Sequence, residues 1–343
     1  MLTTYNLYNC TLDELTDFIQ KIKAEKYRAK QIFDWLYGKG ITSIDEMKNL
    51  PKDLIEKLKE KFLISMPEIK KEIKSKIDET TKYLLMLKDD ALIECVLLFD
   101  NDRITLCAST QVGCGCGCRF CSTAMLGFKR NLETGEIVSQ IMLAREKTKN
   151  KLTNIVFMGM GEPLLNWENL YKAILIISDK NGLNFSQTRI TISTVGIVPV
   201  IKQIADSDLK VNLAISLITV KDELRSELIP FNKKYPLKEI IKAAEYYNKK
   251  TKKQITFEYV LFKNINDSER DAMELVEKLK RVNFKINLIP YNSSLNTGFI
   301  KSEKKRVLNF QKILINHGIK AFIRKEKGAD IKAACGQLAA DTN

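Results

Sequence analysis

Four of the eight cysteines of this chain fall within eight residues, Cys114-Gly115-Cys116-Gly117-Cys118-Arg119-Phe120-Cys121. The interleaved glycines let the backbone take the left-handed turns that aim several sulfurs at one point, and only a metal or a cluster makes use of such crowding. Two ligand sets fit. Cys114, Cys118 and Cys121 form a C-x3-C-x2-C triad, which holds an iron–sulfur cube by three thiolates and leaves one iron open; all four cysteines together make a closed structural site of the zinc type. The glycines flanking Cys116 and the aromatic Phe120 favour the triad, while spacing alone leaves zinc open.

The chain around this loop alternates between two periodicities. Strand-like runs at Asn154–Met158, Arg189–Ser193, Val211–Leu217, Ile255–Leu261 and Ile286–Pro290 are separated by helical patterns near 135–147, 167–179, 197–206, 237–250, 268–281 and 302–316. With the strand that leads into the cysteines, this makes six β-α units, and such alternation predicts a parallel sheet curved into an open, partial barrel. Chemistry in β-α barrels sits where strands end. The unusual residues fall there: the cysteine loop, Gly159-Met160-Gly161-Glu162-Pro163, Ser193-Thr194-Val195-Gly196, Ser216-Leu217-Ile218-Thr219 and Pro290-Tyr291-Asn292.

Upstream, Leu15, Phe18, Ile19 and Ile22, then Ile32, Phe33, Leu36 and Tyr37, recur at helical spacing, with Gly38 and Gly40 ending one helix and Pro51 starting another. Tyr83–Leu87, Leu92–Phe99 and Ile104–Cys107 read as antiparallel strands joined by turns at Asp89-Asp90 and Asn101-Asp102. The expected organisation is a small helical domain over 1–75, a β extension over 76–106, and the barrel over 107–343.

Composition narrows the function classes. No apolar run approaches a membrane span, and the N-terminus has no signal pattern, so a cytoplasmic protein is expected. Half of the cysteines in one loop is not a secreted disulfide framework. A net charge of +14 attracts polyanions, and residues 1–75 hold only 14 Lys and Arg against 12 Asp and Glu, so the excess lies in the larger C-terminal part. The single histidine, His317, sits at a helix end beside Gly318, which disfavours a histidine-based mechanism.

The triad with its aromatic resembles the cluster motif of the radical S-adenosylmethionine (SAM) superfamily. Gln111-Val112-Gly113, Cys121-Ser122-Thr123-Ala124, Gly127-Phe128-Lys129-Arg130-Asn131-Leu132, Met158-Gly159-Met160-Gly161-Glu162-Pro163-Leu164-Leu165-Asn166 and Asp330-Ile331-Lys332-Ala333-Ala334-Cys335-Gly336-Gln337-Leu338 are similar to the dual-specificity rRNA/tRNA adenine-C2 methyltransferases of the RlmN family. This resemblance runs over nearly the whole chain. It implies a [4Fe-4S] cluster on Cys114, Cys118 and Cys121, and SAM contacts from Gly161, Glu162, Ser193, Ser216, Leu217 and Asn292.

It further implies that Cys335 accepts a methyl group from one SAM, that a second SAM supplies the radical that activates it, and that Cys107 then resolves the RNA adduct by forming a disulfide. Glu94 takes the ring proton. The implied partners are 23S rRNA and tRNA, with an unpaired adenine as target, and an electron donor such as a flavodoxin; the chain is expected to be a monomer that needs no membrane. In this family the helical domain helps to grip RNA. Two residues depart from the pattern. Ile218 stands where the family has histidine, and Cys116 stands where cysteine is unusual, with a spectator thiol as the default reading. Cys10 and Cys95 have no assigned role. Two other functions remain: a C8-adenine methyltransferase of the Cfr type, whose loop reads Gly-Glu-Ala against Gly161-Glu162-Pro163 here, and a non-catalytic RNA-binding protein with a four-cysteine zinc site.

Overall fold

The strands of the central sheet lie side by side in the order in which the chain makes them. The structure, a computed structural model, describes residues 4–292 and 297–340. Ten strands follow one another from Glu68–Lys74, Thr81–Met86 and Leu92–Asp100 through Arg103–Cys107 to Lys320–Ile323. The first four pair antiparallel. From Arg103–Cys107 onward every pairing is parallel, through Asn154–Phe157, Ile190–Thr194, Asn212–Ser216, Ile255–Leu261 and Phe284–Pro290. The helices Thr134–Lys147, Trp167–Ser178, Val198–Asp206, Leu237–Thr251, Glu269–Leu279 and Lys304–Asn316 make the crossovers. The six expected β-α units are therefore present, and Lys320–Ile323 adds a further parallel strand.

Two of the sheet's strands escape the sequence reading for one reason. Glu68–Lys74 (EIKKEIK) and Lys320–Ile323 (KAFI) lie at opposite edges of the sheet, where charged side chains stay in water and the apolar signal is diluted. The inner strands carry near-continuous apolar runs because helices cover the parallel sheet. Ile255, Thr256, Phe257, Glu258 and Tyr259 are buried in succession.

The N-terminal segment folds as its pattern predicts. Thr11 caps the helix Leu12–Lys21 in a reciprocal box with Glu14. The helix Tyr27–Phe33 runs on as a wider turn over Asp34–Lys39 that ends at Gly40, whose φ is +67°. Pro51 precedes Lys52–Lys61. This unit seats on the barrel helix Thr134–Lys147: Asn9 accepts from the Gly135 amide at 2.5 Å, and Arg145 donates to the Tyr37 carbonyl at 3.2 Å. Buried on both sides, that helix shows no exposed face until its last turn. His317 caps Lys304–Asn316 in the exposed position expected of it.

Leu213 is fully buried in a central strand. Leu213→Ala should cost about 2–5 kcal/mol through lost burial and the cavity left behind. The check is a lower midpoint in chemical denaturation with an unchanged slope.

Candidate active site

The cysteine loop is pinned at both ends. It leaves the short strand Gln111–Gly113, which pairs antiparallel with Phe128–Asn131, and the Cys114 amide donates to the Gly127 carbonyl at 2.9 Å. Gly113 has φ +74°, and a Cβ there would lie 1.8 Å from the Gly127 carbonyl oxygen, so only glycine fits. At the other end the chain's tail docks. The Ser122 amide donates to the Gly336 carbonyl at 2.8 Å, and the Thr123 hydroxyl to the Leu338 carbonyl at 2.7 Å. Cys335, more than two hundred residues downstream, is thereby brought to the loop.

Two cavities meet there. One, the cysteine-lined cavity of about 160 Å³, is bordered by Cys114, Cys116, Cys118 and Cys121 together with Gly161, Glu162, Ser193, Ser216 and Asn292. The second, of about 250 Å³, has Cys107, Val156 and Leu98 among its walls and Lys301, Lys325 and Lys327 among the basic residues around it. Cys335, Asn292, Arg324 and Met158 line both. Cys335 is exposed, while Cys107, at the end of its strand, is half-buried. Of the expected SAM contacts, only Leu217 lines neither cavity; its amide donates to the Glu258 carbonyl at 3.0 Å.

Among the described residues, no three Cys, His, Asp or Glu side chains are already arranged as a metal site. The donor set nevertheless fits a cluster: the triad thiols line one cavity and are buried or half-buried, and Glu162, the carboxylate that bears on them, has both oxygens engaged by backbone amides. Burial, and then the neighbouring thiols, push the Cys118 thiol up, and burial does the same to Cys121. Metal coordination reverses that cost by deprotonating a thiol outright. Cys116 donates to Cys114, which lowers Cys114 and raises Cys116.

Glu162 is buried, and burial pushes it up to about 7 despite the amides it accepts from. Those amides are Leu164, at 3.0 Å, and Val195, at 2.8 Å. The carboxylate thus ties the Gly161 turn to the end of the next strand. Gly161 has φ +100°, and a Cβ there would come within 2.5 Å of Gln111. Ile218 is the most strained residue of the site. It adopts φ +66°, a region a β-branched residue rarely enters, and is held by an amide bond to the Glu258 carbonyl and by the Asn266 side chain on its own carbonyl at 2.7 Å.

Glu94 is placed differently from its expected role. It is buried and lines neither cavity. One oxygen pairs with Lys82 at 2.9 Å, and the other accepts the Ala339 and Ala340 amides at 2.8 and 3.2 Å. The antiparallel extension holds the tail at three more points: Asp78 accepts from the Gly328 amide, Lys82 donates to the Lys332 carbonyl, and Asp330 accepts from the Ser75 hydroxyl and the Lys76 amide.

Two residues that sequence reasoning missed join the site. Glu258 is buried in the cysteine-lined cavity; one oxygen accepts from Asn287 at 2.9 Å, and the other, without a hydrogen bond, lies 3.7 Å from Arg324. Arg324 follows the last strand, and the Cys335 and Cys107 sulfurs, Glu258 between them in weight, favour its charged form. Burial pushes the Cys107 thiol up to about 12, and Arg324 acts against that. Near neutral pH, iodoacetamide should therefore label exposed Cys335 at least roughly ten times faster than Cys107, with Cys107 labelling rising as the pH climbs. Peptide mapping by mass spectrometry checks this, and equal rates would contradict it.

The radical SAM superfamily model matches residues 108–286, and the "ribosomal RNA large subunit methyltransferase N-terminal domain" model matches residues 5–64. Proteins named "Probable dual-specificity RNA methyltransferase RlmN" from Thermotoga neapolitana and Clostridium novyi are 48% and 43% identical over 333 residues, covering 97% of this chain and 97% of each relative. The crystal structure of a radical SAM methyltransferase from Sphaerobacter thermophilus superposes with a TM-score of 0.94 at 41% identity, covering 98% of this chain and 100% of that one. Radical SAM proteins use an iron–sulfur cluster and SAM, and the thiol-lined cavity at the strand ends matches that requirement. The chain belongs to the RlmN family of radical SAM proteins.

Proposed function

We propose that the protein is an enzyme that methylates C2 of an adenine in 23S rRNA and in some tRNAs, using Cys335 as the methyl carrier and Cys107 as the resolving thiol. The observation that carries this reading is the position of Cys335 in the wall common to the two cavities, one lined by the cluster cysteines and the other by Cys107.

Cys114, Cys118 and Cys121 would hold the [4Fe-4S] cluster, and Gly161, Glu162, Ser193, Ser216, Leu217 and Asn292 the SAM, two of which are consumed per turnover. Bound together, cluster and SAM supply a 5′-deoxyadenosyl radical. The chain's own residues do the rest. Cys335 presents its sulfur to the SAM side to take a methyl group, and to the larger cavity to meet an adenine extruded from its stack. Asn292, donating to the Cys335 carbonyl at 3.4 Å, helps to fix that orientation. Once the carbon carried on the Cys335 sulfur has joined C2 and the adduct has given up one electron and its ring proton, Cys107 attacks that sulfur. The carbon–sulfur bond breaks, the carbon keeps the bond pair and takes a proton to become the methyl group, the two sulfurs join as a disulfide, and an external reductant restores them. Glu94 can take the ring proton only after the tail amides release it, so the tail moves during the cycle.

The lysines around the larger cavity suit the phosphates beside the target base. The 1–75 helical domain grips structured RNA, the 76–106 extension anchors the tail, and 107–343 performs the chemistry. No helix among the described residues is long and apolar enough to cross a membrane. A cytoplasmic monomer reduced by a flavodoxin-like donor completes the reading.

The test is Cys335→Ala. RNA methylation should fall below detection while reductive cleavage of SAM persists, and mass mapping of the wild-type product should place the methyl on C2. Normal methylation by the variant, or a C8 product, would reject the assignment.

A further inference from the structure

Arg225, in the helix Asp222–Leu228, is the largest fully enclosed side chain of the protein. Its guanidinium donates to the Leu217 carbonyl at 3.0 Å, the Ser216 carbonyl at 2.8 Å, the Val195 carbonyl at 2.6 Å and the Asn232 side-chain oxygen. Every acceptor is neutral. The three acids on its own helix, Asp222, Glu223 and Glu227, are exposed; Asp222 is turned to the Asn232 side chain and the Leu237 amide, and Arg225 forms no ion pair among the described residues. A cation enclosed without a directly paired anion costs more than neutral hydrogen bonds offset, and Asp222 reaches this one only through Asn232. Such a group points to an anion that the bare chain does not contain.

The surroundings indicate where that anion sits. The Leu228 carbonyl at the end of the same helix accepts from the Arg119 amide at 3.0 Å, inside the cysteine loop. A Cβ on Gly117 would lie 3.6 Å from Pro230, and Leu228 and Ile229 pack in one cluster with Cys114, Cys116 and Cys118. Burial lowers Arg225 to about 10, with Cys118 and, after it, the exposed Asp222 acting in the opposite direction. The one acid that bears on the same thiols, Glu162, is itself negative when ionised and cannot serve as counter-cation.

We propose that Arg225 is the counter-cation of the anionic metal–thiolate centre on Cys114, Cys118 and Cys121, a positioning residue that at the same time locks the carbonyls of Val195, Ser216 and Leu217 at two strand ends. The inference rests on the cluster assignment above. A fixed positive charge in a dry, low-dielectric site favours the more negative, reduced state of the centre, and so raises its reduction potential.

The experiment uses the full chain reconstituted anaerobically with iron and sulfide. Arg225→Met keeps bulk without charge; Arg225→Lys keeps charge without the fork. Iron and sulfide per chain are measured, and the midpoint is followed by the paramagnetic signal of the reduced cluster. Arg225→Met should shift the midpoint to more negative potential or lose most of its iron, and Arg225→Lys should stay near the wild-type midpoint. A fully loaded Arg225→Met with the wild-type midpoint overturns the proposal, since a purely structural brace would leave the potential unmoved. If Arg225→Met does not fold, the lysine variant decides: a midpoint shifted clearly negative despite the retained charge is the overturning result. A wild-type chain that takes up zinc and no iron would refute the cluster assignment instead, and the counter-cation role would then be read from the zinc content of the same variants.

Discussion

Two hydrogen bonds, from the Ser122 amide and the Thr123 hydroxyl to the carbonyls of Gly336 and Leu338, make one site out of segments at opposite ends of the barrel sequence. Without them the cysteine loop would be a thiol-lined pocket and the tail a glycine- and alanine-rich strand end, and neither alone does chemistry. The bonds hold because the tail is also fastened from behind. Asp78, Lys82 and Glu94 reach backbone groups of the tail, and the tail's Asp330 in turn accepts from the Ser75 hydroxyl and the Lys76 amide. The extension is therefore more than an edge added to the sheet, since it sets where Cys335 can go.

Buried charge gathers around the two cavities and the tail. Glu162 and Arg225 are enclosed beyond the ends of parallel strands, Glu258 within one, and the Lys82–Glu94 pair within the antiparallel extension, whereas the rest of the parallel sheet is filled mainly by isoleucine, leucine and phenylalanine. Each enclosed charge destabilises the fold unless it is matched. Lys82 and Glu94 match each other. Glu162 spends both oxygens on backbone amides, and Arg225 holds neutral carbonyls. The apolar body of the barrel supplies the stability that lets this region be poorly neutralised and strained, as the left-handed Ile218 also is.

The parallel strands, their crossovers and the strand-end position of the cysteine loop were legible in the sequence because burial on both faces writes long apolar runs such as Ile255–Leu261. Edge strands lack that signature, which hid Glu68–Lys74 and Lys320–Ile323. Within the site, the cysteines and Gly161 were readable from composition and family motif. Arg225 was not: in a short helix rich in Asp, Glu and Ser, one arginine looks like a solvated face, and only the folded path shows it turned inward. Glu94 was recognised but its neighbours were not, since its bonds to Ala339 and Ala340 span 245 and 246 residues. Ile218 was noted as a departure from histidine; that it sits at positive φ, a conformation histidine tolerates better, is a backbone fact with no trace in the letters.

A wall residue that belongs to two chambers has only a short way to travel. Cys335 borders both cavities, so in the proposed reaction a group carried on its sulfur would pass from one to the other across a single wall, and the glycine beside it, at φ +83°, leaves the backbone free to shift with the tail. On that reading the methyl donor and the nucleic acid would take separate rooms, and neither would have to enter through the other's door.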